Sequence, residues 1–419
     1  LIVAQVARKD LALLAQVARK DLALLAQVAR KDLALLAQVA QKDSALLAQV
    51  AQIQLTDYKI QKILTKKSQT NNLALFLYNI CMEIIHREFL PSDTRSVHAS
   101  TIEIWNGHPV FSWFGGSREG EGDVSIYIYN LNNKKDIIKL GDTDIVPRWN
   151  PILVNLGEKI ILFEKAGMFC DRWATFIHDI TNWDSNITQK EIRHNQIVLP
   201  AGLNGPVKSR PLIKDGIMYC GSSFETIYDW TSYIEEYIID NGKLIFKNRS
   251  KPLIEKEKIV YSNHRSGRTE RSLGIIQPTL WSQNKNLYAF FRSSNGLNSI
   301  YFSEYLNSEW SNPVVTNLPN PNSAVDVATC NGDLYLAWNP DPYDRFPLMV
   351  SKIRRKGNSS AFEVEDQICI SNDLNYDNFY KKGCNSPELS YPYLIQNDGK
   401  LYLSYTYGRK FIEHCVIKV

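Results

Sequence analysis

Six times between His98 and the last residue the chain repeats one plan: an alternating apolar stretch, a short polar or glycine turn, and a second alternating stretch. The turns fall at Asn106-Gly107, Gly157-Glu158, Asp215-Gly216, Asn284-Lys285-Asn286, Asn331-Gly332 and Asp398-Gly399. Asn-Gly and Asp-Gly between alternating runs mark two-residue hairpins, because both central residues must adopt φ > 0. The first unit adds a polar, glycine-rich segment over 115–122 and a third strand over 124–129. Units begin near His98, Asn150, Arg210, Gln277, Asn322 and Tyr391, a mean spacing of roughly sixty residues, which is the size of a propeller blade. An all-β, six-bladed β-propeller is the expected fold, with a pair of β-sandwiches as the rival. The last unit has room for three strands only, so a strand near 83–90 is expected to supply the fourth and close the ring.

Topology alone then says where polar groups gather. In an antiparallel hairpin the start of the first strand and the end of the second lie at one edge, and in a propeller these edges converge on one mouth of the central channel. The starts supply His98, Asn150, Lys208 with Arg210, Gln277, Asn320 with Asn322, and Tyr391. The ends supply Arg118, Glu119 and Asp123, then Lys165, Glu225, Arg292, Asn339 and Arg409. Several cations converging on one pocket suit capture of a carboxylate. A glutamate beside a tyrosine assists attack by the phenol oxygen, and an aspartate on a loop serves as general acid. The plainer alternative is that these groups pair with one another, as polar residues lining a channel commonly do.

The segments HASTIEI, WFGGSREGEGD, NGPVKSRPLI, SSFE, IQPTLW, FFRSSNG, PNPNSAVD and SYPYLIQNDGKLYLSYTYGRKFIEH, in that order, resemble the sialidase-like family with BNR repeats over residues 83–419. The resemblance implies a six-bladed propeller with its pocket at the channel mouth. It implies Tyr391 as nucleophile, Glu225 as the base that activates it, and Asp123 as acid/base. Arg292 and Arg409 become arginine ligands of a substrate carboxylate, with Arg118, Lys165, Lys208, Arg210, Gln277 and Asn322 as further binding candidates. The family's Arg-Ile-Pro motif is replaced by His98-Ala99-Ser100, which puts a histidine among the catalytic candidates. The S-x-D-x-G-x-x-W repeat survives only as SEYLNSEW over 303–310, without its Asp or Gly. The expected activity is hydrolysis of a terminal acidic sugar, sialic acid or a related 2-keto acid, from a glycan. The alternatives are a lyase acting on uronic-acid polysaccharide, with His98 or Tyr391 removing the proton α to a carboxylate, and a non-catalytic glycan-binding propeller.

Residues 1–55 carry a different signal: near-identical copies of LALLAQVARKD, with Gln at 5, 16, 27, 38 and 49. Eleven residues make three helical turns at about 3.67 per turn, a period that predicts a right-handed coiled coil. The broad apolar arc favours a parallel homotrimer or homotetramer. Residues 56–82 form a linker or helical transition. A net charge of +4 on 419 residues gives no reason to expect a nucleic-acid partner. No apolar run is long enough to span a bilayer as a helix. Seven scattered cysteines without a CxxC pair favour reduced thiols and a cytoplasmic setting, with secretion left open because the chain starts at Leu. His108, His178, His194 and His414 have no metal-ligand spacing, and no P-loop or GxGxxG is present, so neither metal nor cofactor is expected. His264 lies in a basic stretch, NHRSGRTER, read as a solvated loop.

Overall fold

The computed structural model describes residues 82–419 apart from 132–136, 141–145, 183–195, 227, 255–259, 264–267, 272, 372–382 and 385–386. The coiled coil expected over 1–55, its chain number, nearly all of the 56–82 transition and His264 lie outside the described residues.

Six antiparallel blade sheets follow one another along the chain. A separate two-stranded hairpin, Val260–Asn263 with Arg268–Arg271, lies in sequence between the third and fourth, so that part of the basic stretch expected as a loop is strand. The first blade is Ser96–Trp105, His108–Gly116, Ser125–Asn130 and Ile138–Leu140. The second is Arg148–Asn155, Ile160–Ala166, Ala174–Asp179 and Ile197–Val198. The third is Leu212–Lys214, Ile217–Glu225, Trp230–Asp240 and Lys243–Arg249. The fourth is Ile275–Gln283, Asn286–Ser293, Ser299–Leu306 and Val314–Pro319, and the fifth Asp326–Cys330, Asp333–Trp338, Leu348–Arg355 and Phe362–Ser371. The sixth runs Leu389–Asn397, Lys400–Tyr407 and Phe411–Lys418, then takes Glu83–Phe89 as its outermost strand. That strand pairs antiparallel with the last one, Glu83 opposite Lys418 and Phe89 opposite Glu413, and joins the two ends of the ring. The fold is an all-β six-bladed propeller, and no α-helix occurs among the described residues.

The hairpin turns form where their chemistry dictates. Asn106-Gly107, Asp215-Gly216, Asn331-Gly332 and Asp398-Gly399 all have both residues at positive φ, between 49° and 86°, the mirror-image turn that matches the strand twist. The SEYLNSEW segment is likewise a turn, with Asn307 and Ser308 at positive φ, and it links Ser299–Leu306 to the short strand Glu309–Trp310.

The apolar core lies between blades rather than at one centre. Trp281, Phe290 and Phe302 of the fourth blade pack with Leu336, Trp338 and Phe362 of the fifth. Leu348 and Val350 of the fifth pack with Leu394, Leu403 and Cys415 of the sixth. Strands buried on both faces read as nearly continuous apolar runs, as in Val110–Phe114. Between the third and fourth blades the approach is closer still: a Cβ on Gly221 would stand 2.0 Å from the Pro278 carbonyl oxygen, so only glycine fits.

The first strands carry a second recurrent feature. Register shifts interrupt pairing between His98 and Thr101, Trp149 and Ile152, Ile276 and Thr279, and Ser390 and Tyr393. Within or beside these steps Ala99, Asn150, Gln277 and Tyr391 take left-handed φ values of 34–56°, and Asn322 does so just before the fifth blade's first strand. Such bulges re-aim a side chain and end local pairing. Here they do so at the channel mouth.

Candidate active site

Tyr391 sits in the bulge of the sixth blade's first strand, 8% exposed. Arg292, near the end of the fourth blade's second strand, donates from Nη1 to the Tyr391 hydroxyl at 2.6 Å and to Gln277 Oε1 at 2.9 Å. Gln277 Nε2 also donates to the tyrosine oxygen at 3.3 Å. Arg292 Nε donates to Asn322 Oδ1 at 2.9 Å, so two bulge residues, the left-handed Asn322 and one strand-end arginine form a single hydrogen-bonded set. Cations crowd the phenol ring. Arg292 lies 5.4 Å, Lys208 5.7 Å and Arg345 5.9 Å from its centroid.

Arg345 and Arg409 are tied together by a buried carboxylate. Glu388 accepts from Arg409 Nε and Ser390 Oγ and meets Arg345 Nη1 at 3.5 Å. Burial pushes the Glu388 carboxyl up, but Arg409 and Arg345 outweigh it and hold the group below its ordinary value. Arg345 also donates from Nη2 to the Asn322 carbonyl at 2.7 Å, which links this pair to the Arg292 set. Arg409 Nη1 donates to Glu119, on the loop that follows the first blade's second strand.

His98 is buried, its ring centroid 4.0 Å from that of Tyr391, with Nδ1 2.9 Å from Thr406 Oγ1. Burial, then the charges of Arg409, Arg345, Lys208 and Arg292, drive its pKa well below 6.5, so the imidazole is neutral. Its Nε2 has no hydrogen-bond partner. Glu225 ends the third blade's second strand. Burial raises its pKa, Arg292 opposes this, and Glu119 adds to it. Its Oε1 is buried and unpartnered. A carboxyl whose proton is held more tightly than usual, and which feels the arginine bonded to a phenol, is suited to proton exchange with a substrate or side chain in the site.

Of the other candidates, Lys208 is fully buried beneath Tyr391, donates to the Pro392 carbonyl at 3.1 Å, and is lowered to about 8 by burial. The structure does not bring Lys165 to this cluster. Its Nζ donates to the Pro206 carbonyl, and burial lowers it to about 7 despite Glu235. Arg210 acts on Glu103 and Asp326, deeper along the first strands than Tyr391. Arg118 is 80% exposed and pairs with Glu121 at 2.6 Å. Asp123 accepts from Ser117 N and Oγ, both at 2.9 Å, and so closes its own loop. Arg345 and Glu388 were not among the residues the sequence pointed to. Glu388 lies three positions before Tyr391, and Arg345 lies in the loop between the fifth blade's second and third strands. No group of three or more His, Cys, Asp or Glu suited to a metal occurs among the described residues.

Residues 107–403 match the BNR repeat-like domain. No curated protein sequence matches the chain. Among solved structures it resembles a protein of unknown function from Dyadobacter fermentans DSM 18053, at 10% identity and a TM-score of 0.57, over 81% of this chain and 100% of that one. It also resembles a Trypanosoma rangeli sialidase solved with the inhibitor DANA, at 11% identity and a TM-score of 0.50, over 81% of this chain and 58% of that one. The chain thus spans little more than half of the sialidase's length, and at such identities the likeness is one of fold.

Proposed function

This chain belongs to the BNR repeat-like domain family, and from that premise we propose that it is a glycosidase that removes a terminal acidic sugar, sialic acid or a related 2-keto sugar acid, from a glycan. The observation that carries the reading is the hydrogen bond from Arg292 to the Tyr391 hydroxyl inside a cluster that also holds Arg345 and Arg409. The guanidinium groups favour a carboxylate ligand and stabilise negative charge on the phenol oxygen. A carboxylate nucleophile would be repelled by the sugar's own carboxylate, which is the chemical reason for a neutral phenol at this place. Tyr391 attacks the anomeric carbon as its proton passes to Glu225, and the bond to the leaving oxygen breaks as Asp123 protonates it. Water, deprotonated by Asp123, then releases the sugar, and Glu225 returns its proton to the phenol. Asp123 now holds Ser117, so the acid step requires the 117–123 loop to reorganise over a bound sugar.

A second reading is favoured by His98. A neutral imidazole with an unpartnered Nε2, packed on Tyr391, also suits removal of a proton α to a uronate carboxylate. The test is turnover of a panel of sialosides, Kdo-glycosides and uronate polysaccharides. The glycosidase reading predicts release of a 2-keto sugar acid that Tyr391→Phe abolishes and Glu225→Gln slows by about 100-fold or more. An unsaturated uronate product, lost in His98→Ala, would replace it with the lyase. Binding of acidic glycans without any product would leave a glycan-binding propeller.

A further inference from the structure

Two carboxylates share the Arg409 guanidinium, and they differ in kind. Glu388 is 12% exposed, bonds Arg409 Nε, and is fixed by Ser390 and Arg345 as well. Glu119 is 36% exposed, reaches Arg409 Nη1 from a loop of the first blade, and has no other described partner. The first is built in; the second can leave without exposing a buried charge.

We propose that Glu119 is an internal stand-in for the ligand's carboxylate, holding Arg409 until a carboxylate-bearing sugar displaces it; this rests on the acidic-sugar reading of the same pocket. Arg409, Arg345 and Arg292 lie close enough to act on one buried imidazole, His98, together with Lys208. Such a cluster needs a compensating anion in the empty site. A ligand carboxylate replaces Glu119 charge for charge. A neutral sugar brings no anion, so it either leaves Glu119 in place or removes one of the two carboxylates that Arg409 holds, leaving Glu388. Selectivity for acidic sugars therefore comes from the penalty on the wrong ligand as well as from attraction to the right one. The exchange also has a mechanical consequence. Glu119 is the tether between the 117–123 loop and the sixth blade, so its release frees the segment that carries Asp123. Electrostatics support the placement: Glu119 lies near enough to Glu225 to help raise that carboxyl, after burial.

The experiment is calorimetric titration of the full chain, wild type and Glu119→Gln, with two probes: N-acetylneuraminic acid and pyruvate, a bare 2-keto acid. Glu119→Ala serves as a second variant that cannot hydrogen-bond Arg409. The expected result is tighter binding of both probes to both variants by about two- to fivefold, within the range open to a partly exposed ion pair. Pyruvate tightened while the sugar acid binds to neither form would uphold the exchange at Arg409 and reject the sugar. Equal or weaker binding of both probes in the variants would overturn the exchange and leave the acidic-sugar reading standing, with Glu119 then orienting Arg409. No binding of either probe to any form would overturn both.

Discussion

A tyrosine at φ 56° occupies backbone space that costs an L-residue on the order of 1–2 kcal/mol, and Tyr391 holds it with its hydroxyl bonded to Arg292 and Gln277. The strain is not peculiar to this residue, because Ala99, Asn150, Gln277 and Asn322 take the same turn in other blades. The bulge belongs to the blade, and the tyrosine is what the sixth blade places there. Buried histidines give a sharper residue-level expectation. Burial lowers His414 to about 4, only partly offset by its bond to the Leu403 carbonyl at 3.0 Å. Its unfolded value is about 6.5, so the unfolded chain binds the proton first and stability falls as pH drops from about 6.5 toward 4. His414 alone contributes a loss of about 3 kcal/mol across that window, and His98 acts in the same direction. Urea unfolding at pH 7.5 and 4.5 should show the gap between wild type and His414→Gln shrinking or reversing at the lower pH. A gap independent of pH would contradict a neutral buried imidazole.

At the scale of strands and turns, much was legible because the signals are local. Asn-Gly and Asp-Gly dictate their own backbone conformation, so the turns at 106, 215, 331 and 398 could be placed without knowing what packs around them. The convergence of strand starts and ends at one mouth followed from hairpin geometry, and it brought Tyr391, Gln277, Asn322, Arg292 and Arg409 into the reading. Arg345 escaped it because it sits at no strand start or end of a first hairpin, and Glu388, directly before Leu389–Asn397, because the sixth unit reads in the sequence as beginning at Tyr391. Arg345 arrives on a loop of the fifth blade, and Glu388 has its role only because Arg345 and Arg409 come from two different blades. Lys165 and Arg210 show the opposite limit: position in a strand gave the edge but not the depth. Gly221 was equally silent in the sequence, since its constraint is the Pro278 carbonyl of the next blade. Gly221→Ala should destabilise the chain by about 3 kcal/mol or more, because backbone rather than a mobile side chain must give way. Unfolding at an unchanged midpoint would show that the third and fourth blades separate more easily than their contact implies.

Across the whole molecule, the ring is closed by Glu83–Phe89 on Phe411–Lys418, so the segment ahead of the first blade completes the last. Closure fixes the sixth blade against the first, and this is the seam where His98 meets Tyr391 and Thr406, and where Glu119 meets Arg409. The candidate site is thus a product of closure rather than of any one blade. Its cations come from the third to sixth blades, its neutral histidine and its displaceable carboxylate from the first, and its phenol from the sixth. In the proposed mechanism this phenol becomes covalently bonded to an acidic sugar. The most direct measurement is mass spectrometry of peptides after incubation with 3-fluorosialosyl fluoride and its Kdo counterpart, which form glycosyl-enzymes that turn over slowly. Attack by Tyr391 should leave one added sugar on the peptide that contains it, absent in Tyr391→Phe. Hydrolysis of acidic-sugar glycosides with no adduct at Tyr391, or with the adduct on another residue, would contradict it.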